Sequence, residues 1–263
     1  MKTNTFIKLM IISCFTLINS IAGAGTPKIE YLKQEINKIE SQIRSDNFRD
    51  ALSNINRLKQ ECKDCPVELN LEIDILLAKV YHRQTKYKLS EKCAHQILAE
   101  LDKNASSDIE LRAKSLELVG RCKLILGHID QARDAFMRLL KLESDTSSIH
   151  YNPIRSRALL GLGGIYLNTF NYAKAQSFLN AAKFLNGTSV KDKILHSEIL
   201  KKLGYAYMST NQFDLAQYYL DSALNFSKKE FGENSTALID ILNYHVQLHS
   251  RTRNHSKAQL KPL

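Results

Sequence analysis

The chain has 263 residues, of which 44% are hydrophobic and 24% are charged, and its formal net charge is +10. This is the composition of a globular protein of one or two domains. The basic balance allows acidic partners, but lysines and acids are interspersed and no nucleic-acid-binding motif is visible, so nucleic acid is not an expected partner. Proline is sparse and no hairpin signal lies between alternating apolar runs, so strands are not expected to dominate.

The first 24 residues have the pattern of a secretory signal peptide. Lys2 and Lys8 give a positive charge to the segment before the apolar run 9–22, and Ala22-Gly23-Ala24 supplies the small residues for cleavage. Cleavage removes both lysines and lowers the net charge to +8. No second hydrophobic segment of spanning length follows, so we expect an exported protein, periplasmic or extracellular, without a transmembrane segment after cleavage. An uncleaved N-terminal anchor is the alternative.

The rest of the chain repeats itself. The stretch from Leu162 to Ala182 matches the stretch from Leu203 to Ala223 at seven positions, and four weaker copies follow the same template. One small residue marks each copy, at intervals of 39 to 43 residues. These marker residues are Ala51, Ser90, Ala132, Ala175, Ala216 and Ala258. The repeats predict one domain over 25–263, after the signal peptide over 1–24, with units near 30–65, 66–105, 108–148, 152–190, 193–230 and 235–263.

Each unit is predicted to form two helices, because apolar residues recur at helical spacing on both sides of a central polar turn. Leu203-Gly204, Tyr207, Ala216, Leu220 and Ala223 resemble the signature of the tetratricopeptide repeat (TPR) family, in the longer variety found in kinesin light chains and many bacterial regulatory proteins. The resemblance implies an all-α fold, a right-handed α-solenoid of about five to six TPR-like helical hairpins. It also implies a concave face, lined by the first helix of each hairpin, that commonly holds a peptide or another protein.

Gly161, Gly163 and Gly164 offer a second interpretation, a glycine-rich loop that cradles phosphate. Such loops follow a strand and precede a helix, whereas these glycines lie within a helical pattern. We therefore expect them to be spacers where two helices touch.

Four cysteines follow the signal peptide. Cys62 and Cys65 form a C-x-x-C motif without the βαβ setting of a redox site or the second ligand pair of a zinc site. A local disulfide that stiffens the turn between units one and two is the hypothesis for an exported protein. Cys93 and Cys122 fall on helices expected to be neighbours, which leaves open either a bridge or two buried thiols.

No arrangement of residues points to catalysis. His245 and His249 are four residues apart but have no third ligand at a recognisable spacing, so no metal site is expected. The sequence contains no G-x-S-x-G or H-E-x-x-H motif and no paired carboxylates that rise above background. These observations predict a non-enzymatic protein without a cofactor.

The family's groove positions, carried onto this chain, give a basic and amide-lined face. Such a face suits an acidic segment or a C-terminal carboxylate, so the expected partner is an acidic protein or peptide. The lysine–asparagine carboxylate clamp of chaperone-binding TPR proteins is not reproduced, which disfavours a chaperone tail. The predicted groove residues are Lys79, Arg83, Lys114, Arg121, Arg157, Asn168, Lys201, Tyr205, Asn243, Gln247 and Arg251.

The sixth unit departs from the pattern, because the chain stops a few residues into its expected second helix. Either its first helix caps the array or the chain is a truncated part of a longer protein. The leading hypothesis is therefore an exported, non-enzymatic scaffold that binds its partner in the groove. The alternative is a periplasmic or sensory TPR input domain of a larger signalling protein. A cytoplasmic peptide-responsive regulator would follow only if the N-terminal segment were not a signal peptide.

Overall fold

The computed structural model describes 29–106, 108–142, 153–187, 192–233 and 235–259, and it describes side chains as far as 253. The regular structure in these ranges is helical, and they contain no strand. The predicted signal peptide over 1–24 lies outside the described residues. None of the described helices is both long and apolar enough to cross a membrane. The all-α fold class is confirmed.

The described residues divide into two compact units, with the boundary between Leu76 and Leu77. The first unit contains helix α1 (29–44), helix α2 (Phe48–Glu61) and the first part of helix α3 (Val67–Arg83). Apolar side chains three or four residues apart are buried where α1 and α2 pack together. They are Leu32, Ile36, Ile39 and Ile43 in α1 and Ala51, Ile55 and Leu58 in α2.

The second unit contains the end of α3 and eight further helices in the described residues. They are α4 (Tyr87–Lys103), α5 (Ile109–Ile125), α6 (Ile129–Lys141), α7 (Pro153–Asn168), α8 (Tyr172–Asn186), α9 (Lys193–Ser209), α10 (Phe213–Phe231) and α11 (Ala237–Gln259). From α4 onward each helix packs against the next. We call the odd-numbered helices A helices and the even-numbered ones B helices, because α5, α7, α9 and α11 also contact one another in sequence. The described residues thus form an array of helical hairpins.

The turn between A and B helices has the same geometry in five hairpins. One residue adopts a left-handed conformation, with φ between 58° and 81°. In the α7–α8 turn, Phe170 N–H donates to the Leu167 carbonyl and Asn171 N–H to the Tyr166 carbonyl, which is the Schellman arrangement that ends a helix. The left-handed residue always lies five positions before the marker residue, so the turns and the markers share one period. These residues are Asp46, Thr85, Gly127, Phe170 and Asn211.

Glycines on the A helices allow the B helices to come close. A Cβ atom at Gly163 would lie 2.8 Å from Leu179 of α8, and one at Gly204 would lie 2.6 Å from Leu220 of α10. Both distances are too short for real Cβ contacts, so the α7–α8 and α9–α10 hairpins are packed around a glycine at this point. All three glycines of the 161–164 cluster lie inside α7. Gly161 and Gly163 are packing spacers, whereas a Cβ at Gly164 would meet only ordinary contacts, and the cluster does not form a phosphate loop.

Helix α11 differs from the sequence expectation. The sixth copy predicts a turn before Ala258, but α11 is a single helix from Ala237 to Gln259. Arg253 lies five positions before that marker, at the register where the other hairpins turn, and it is helical. No glycine or proline occurs between the ends of α11 to interrupt the helix. The expectation that a second helix begins near Ala258 is therefore wrong.

Candidate functional site: the A-helix face

All of the predicted groove residues lie on A helices of the second unit. We call the surface that they share the A-helix face. One register, eleven positions before the marker residue, runs along this face through Lys79, Arg121, Gly164, Tyr205 and Gln247. Because consecutive A helices are in contact from α5 to α11, the last four of these positions form a continuous row.

The row of A helices curves back on itself. Arg83, near the end of α3, donates a hydrogen bond from Nη2 to Thr236 Oγ1 over 3.2 Å, and Thr236 immediately precedes α11. The A helix at one end of the second unit therefore reaches the A helix at the other end. A row whose two ends meet must be strongly curved, so Arg83 is occupied in closing the face.

Arg157 connects three A helices through carboxylates. Its guanidinium lies 3.0 Å from Glu110 and 3.9 Å from Glu117 of α5, and 3.3 Å from Asp192 at the N-cap of α9. Only 15% of its side chain is exposed. Burial opposes the charge, but the carboxylates of Glu117 and Glu110 outweigh it and raise the pKa of Arg157. Arg157 therefore acts as a strut between α5, α7 and α9.

Lys201 makes an equivalent link between α9 and α11. Its Nζ donates to Glu198 over 2.8 Å and to Asp240 over 3.0 Å. Burial favours the neutral amine, but these two carboxylates prevail and raise the pKa of Lys201. For Glu198, burial is likewise outweighed, and nearby Lys201 and Lys202 lower its pKa to about 2. The predicted contact Lys201 is thus engaged within the protein.

Sequence reasoning did not identify Lys202, which lies beside Gly164 on the A-helix face. A Cβ at Gly164 would be 3.9 Å from Lys202 Nζ and 3.5 Å from Leu124. No carboxylate of the described residues comes within ion-pair distance of this ammonium group. Burial, with repulsion from Lys201 and Arg121, lowers the pKa of Lys202 despite the pull of Glu198. The sequence does contain a signal that could have identified Lys202. It is a charged residue at the register where α5 and α7 carry the uncharged residues Leu118 and Gly161.

Tyr205 is held by other aromatic rings. Its ring stacks on Tyr244 of α11 with centroids 5.0 Å apart, and it meets Tyr172 of α8 edge-on at 6.5 Å. Burial raises the pKa of Tyr244, so this hydroxyl stays neutral at higher pH than usual. The three rings form a rigid side wall of the A-helix face.

The other predicted residues divide into engaged and exposed groups. Lys114 lies 3.9 Å from Glu110, and Arg251 donates to the Met208 carbonyl over 3.4 Å. Arg121 is exposed and pairs with Glu117 of its own helix at 3.5 Å. The amide side chains are exposed and make no hydrogen bond to any described residue. They are Asn168, Asn243 and Gln247.

The cysteines and histidines lie away from this face or serve packing. Cys62 and Cys65 are joined by a disulfide in the first unit. Cys93 and Cys122 carry thiols, so they do not form the bridge that the sequence left open, and burial raises the pKa of Cys122. His245 points at Asp221 of α10, 3.6 Å away. No group of three metal-ligating side chains occurs among the described residues.

Comparison with known proteins identifies the fold. No family model and no curated protein matches the sequence. Among solved structures, BtubC (BKLC) from P. vanneervenii has a TM-score of 0.60 at 16% identity, with 83% of this chain and 88% of that chain covered. Kinesin light chain TPR-like repeats from Podosopora anserina have a TM-score of 0.52 at 16% identity, covering 76% and 95%. The apo form of RapI has a TM-score of 0.52 at 11% identity, covering 88% and 74%. The expected resemblance is confirmed: this chain has a TPR-like fold of helical hairpins.

Proposed function

We propose that this chain is an exported, non-enzymatic scaffold that binds a protein or peptide segment on its A-helix face. The TPR-like fold supports the interaction role, since stacked hairpins offer an extended curved surface built on rigid helices. The N-terminal pattern of 1–24 supports export. The absence of a catalytic motif in the sequence supports a binding role without chemistry.

The observation that carries the proposal is the division of the A-helix face into two kinds of side chain. Arg157 and Lys201 form ion pairs with carboxylates of neighbouring A helices, so they stabilise the face. Arg121, Asn243 and Gln247 are exposed on the same row of helices. A rigid frame that presents unsatisfied amides is suited to bind a peptide backbone.

The position of Lys202 supports an acidic segment as the partner. Lys202 projects from α9 towards the gap that Gly164 leaves on α7, and Arg121 of α5 is near enough to repel it. The two cations repel one another, and Glu198 attracts both of them without forming an ion pair with Lys202. A carboxylate supplied by the partner would relieve this repulsion and form charge-assisted hydrogen bonds in a partly dehydrated site.

Site-specific photo-crosslinking tests the binding face. A photoreactive phenylalanine analogue replaces Asn243 or Gln247, and the matched controls carry it at Met137 or Tyr218, exposed positions on B helices. We expect covalent adducts with the partner from the A-helix positions and none from the B-helix positions. Adducts at the B-helix positions alone would overturn the proposed face.

The charge component has a separate test with the captured partner. Arg121→Gln combined with Lys202→Gln should weaken binding about tenfold, because a desolvated charge pair is lost. Arg133→Gln, which removes an exposed cation of α6, is the control and should leave the affinity unchanged. Suppose that all three proteins bind with equal affinity and that adducts still form on the A-helix face. That result would reject an acidic partner but would leave the proposed scaffold function in place.

A further inference from the structure

Helix α11 presents an apolar stripe that no described part of the chain covers. Ile239, Leu242 and Val246 are 56%, 46% and 69% exposed, and their spacing places them on one side of the helix. Other apolar residues of α11, such as Ile241 and Leu248, are buried against the neighbouring helices. Helix α11 is thus apolar on two sides, although only one side is packed.

The equivalent stripe on other A helices is covered by the B helix of the same hairpin. On α9, the stripe residues Ser197 and Gly204 face Ser227 and Leu220 of α10, with 2.6 Å between the two serine hydroxyls. Leu200, which corresponds to Leu242, is only 6% exposed.

Helix α7 repeats the same arrangement. There Ser156 donates to the Ala182 carbonyl of α8 over 2.8 Å, and Gly163 meets Leu179. The exposed stripe of α11 is therefore the surface that a B helix covers in those two hairpins, and no described helix covers it here.

Two features distinguish α11 from α7 and α9, whose B helices pack at very short range. Helix α11 continues through Arg253, the register at which the other hairpins turn, so the chain does not fold back at the usual place. Val246 also occupies the position of Gly204, the glycine that admits a B helix at very short range. A helix that covers Val246 must therefore pack at an ordinary interhelical distance of about 8–10 Å.

We propose that the stripe of Ile239, Leu242 and Val246 packs antiparallel against the same stripe of a second copy of this chain. A two-fold interface uses one surface twice, so an apolar stripe along a single helix is self-complementary. The exposed charges at its two ends select the antiparallel direction. Glu233 precedes α11, and Arg253 follows the stripe.

In the antiparallel pair, Arg253 of each copy approaches Glu233 of the other, and the favourable contact is made twice. A parallel pair would instead bring the two basic ends together. Helix α11 has 23 residues and is about 35 Å long. An interface made by one such pair is small, so we expect a dimer that dissociates on dilution.

Sedimentation velocity of the purified protein over a range of concentrations tests the proposal. We expect the mass to rise from monomer to dimer with concentration. Val246→Glu should weaken dimerisation at least about tenfold, because a charge would be buried in the interface. Phe184→Glu, at a 72% exposed position of α8, is the matched control and should dimerise like the wild type. Circular dichroism establishes that each variant is folded.

A charge exchange then tests the direction of packing. Arg253→Glu should weaken the dimer, because two acidic residues then face each other. Adding Glu233→Arg in the same chain should restore it, because the two charges of each ion pair are then exchanged. A wild-type protein that remains monomeric at all concentrations would overturn the proposal. So would a dimer that Val246→Glu leaves intact, or one that Phe184→Glu disrupts to the same extent.

Discussion

Two glycines on neighbouring A helices have opposite surroundings, and this predicts opposite effects of the same substitution. Gly204→Ala places a methyl group 2.6 Å from Leu220 and should cost about 1–3 kcal/mol of unfolding free energy through overpacking. Gly164→Ala meets only ordinary contacts at 3.5 Å and beyond, so the better helix propensity of alanine should leave stability equal or raise it by up to about 1 kcal/mol. Urea denaturation measures both. If both substitutions changed the free energy of unfolding in the same direction, the assignment of Gly204 as an obligatory spacer would be contradicted.

A second residue-scale prediction concerns His82 and pH. Its Nε2 is buried without a hydrogen-bond partner, and burial, followed by repulsion from Arg121 and Arg83, lowers its pKa to about 4. The folded protein therefore binds a proton less readily than the unfolded chain. Stability from this group is complete above the ordinary pKa of 6.5 and falls as the pH drops from 6.5 towards 4, by at most about 3 kcal/mol.

His82→Phe should flatten this pH dependence, since phenylalanine keeps the edge contact with Tyr87 and does not titrate. Thermal unfolding between pH 7 and pH 4.5 measures the effect, above the range in which the low pKa of Glu198 contributes most. His128→Phe changes an exposed histidine and should retain the wild-type slope. A His82→Phe protein with an unchanged slope would assign the pH dependence to other groups.

Between elements, the ion pairs of the A helices predict a difference between two arginines of the A-helix face. Arg157→Leu leaves the carboxylates of Glu110, Glu117 and Asp192 without their shared cation, so it should destabilise the protein by about 3 kcal/mol. Arg121→Leu removes an exposed pair within one helix and should cost less than about 0.5 kcal/mol. Chemical denaturation of the two variants compares the costs. Equal costs would contradict the description of Arg157 as a strut.

The elements also show how far the sequence alone could lead. The marker residues, the A-helix glycines and the polar turns predict the hairpins, because these features depend on contacts within a hairpin and recur at one period. The links that Arg157 and Lys201 make between helices were not predictable in this way, since the linked carboxylates lie on other hairpins, up to 47 residues away. Helix α11 was misread for a related reason. Ala258 preserves the marker, but the residues before it have no strong signal to end a helix.

On the scale of the whole second unit, its repeated architecture predicts a gradient of local stability. In an array of hairpins each helix is stabilised mainly by its nearest neighbours. Helix α9 packs against α7, α8, α10 and α11, whereas α11 packs against α9 and α10 from α4 onward. Amide hydrogen exchange should therefore be slowest in α7 and α9 and faster in α11, when it is measured at concentrations low enough to keep the protein monomeric.

The same gradient should respond to a local defect. Gly204→Ala weakens the packing of α9 on α10, so exchange should accelerate in α9, α10 and α11, because α11 depends on both of them. Helices α5 and α6 lie two hairpins earlier, where Phe136 of α6 packs over Gly120 of α5, and they should retain most of their protection. A uniform increase across α4 to α11 would instead show that the second unit opens as one cooperative block, with no weaker end at α11.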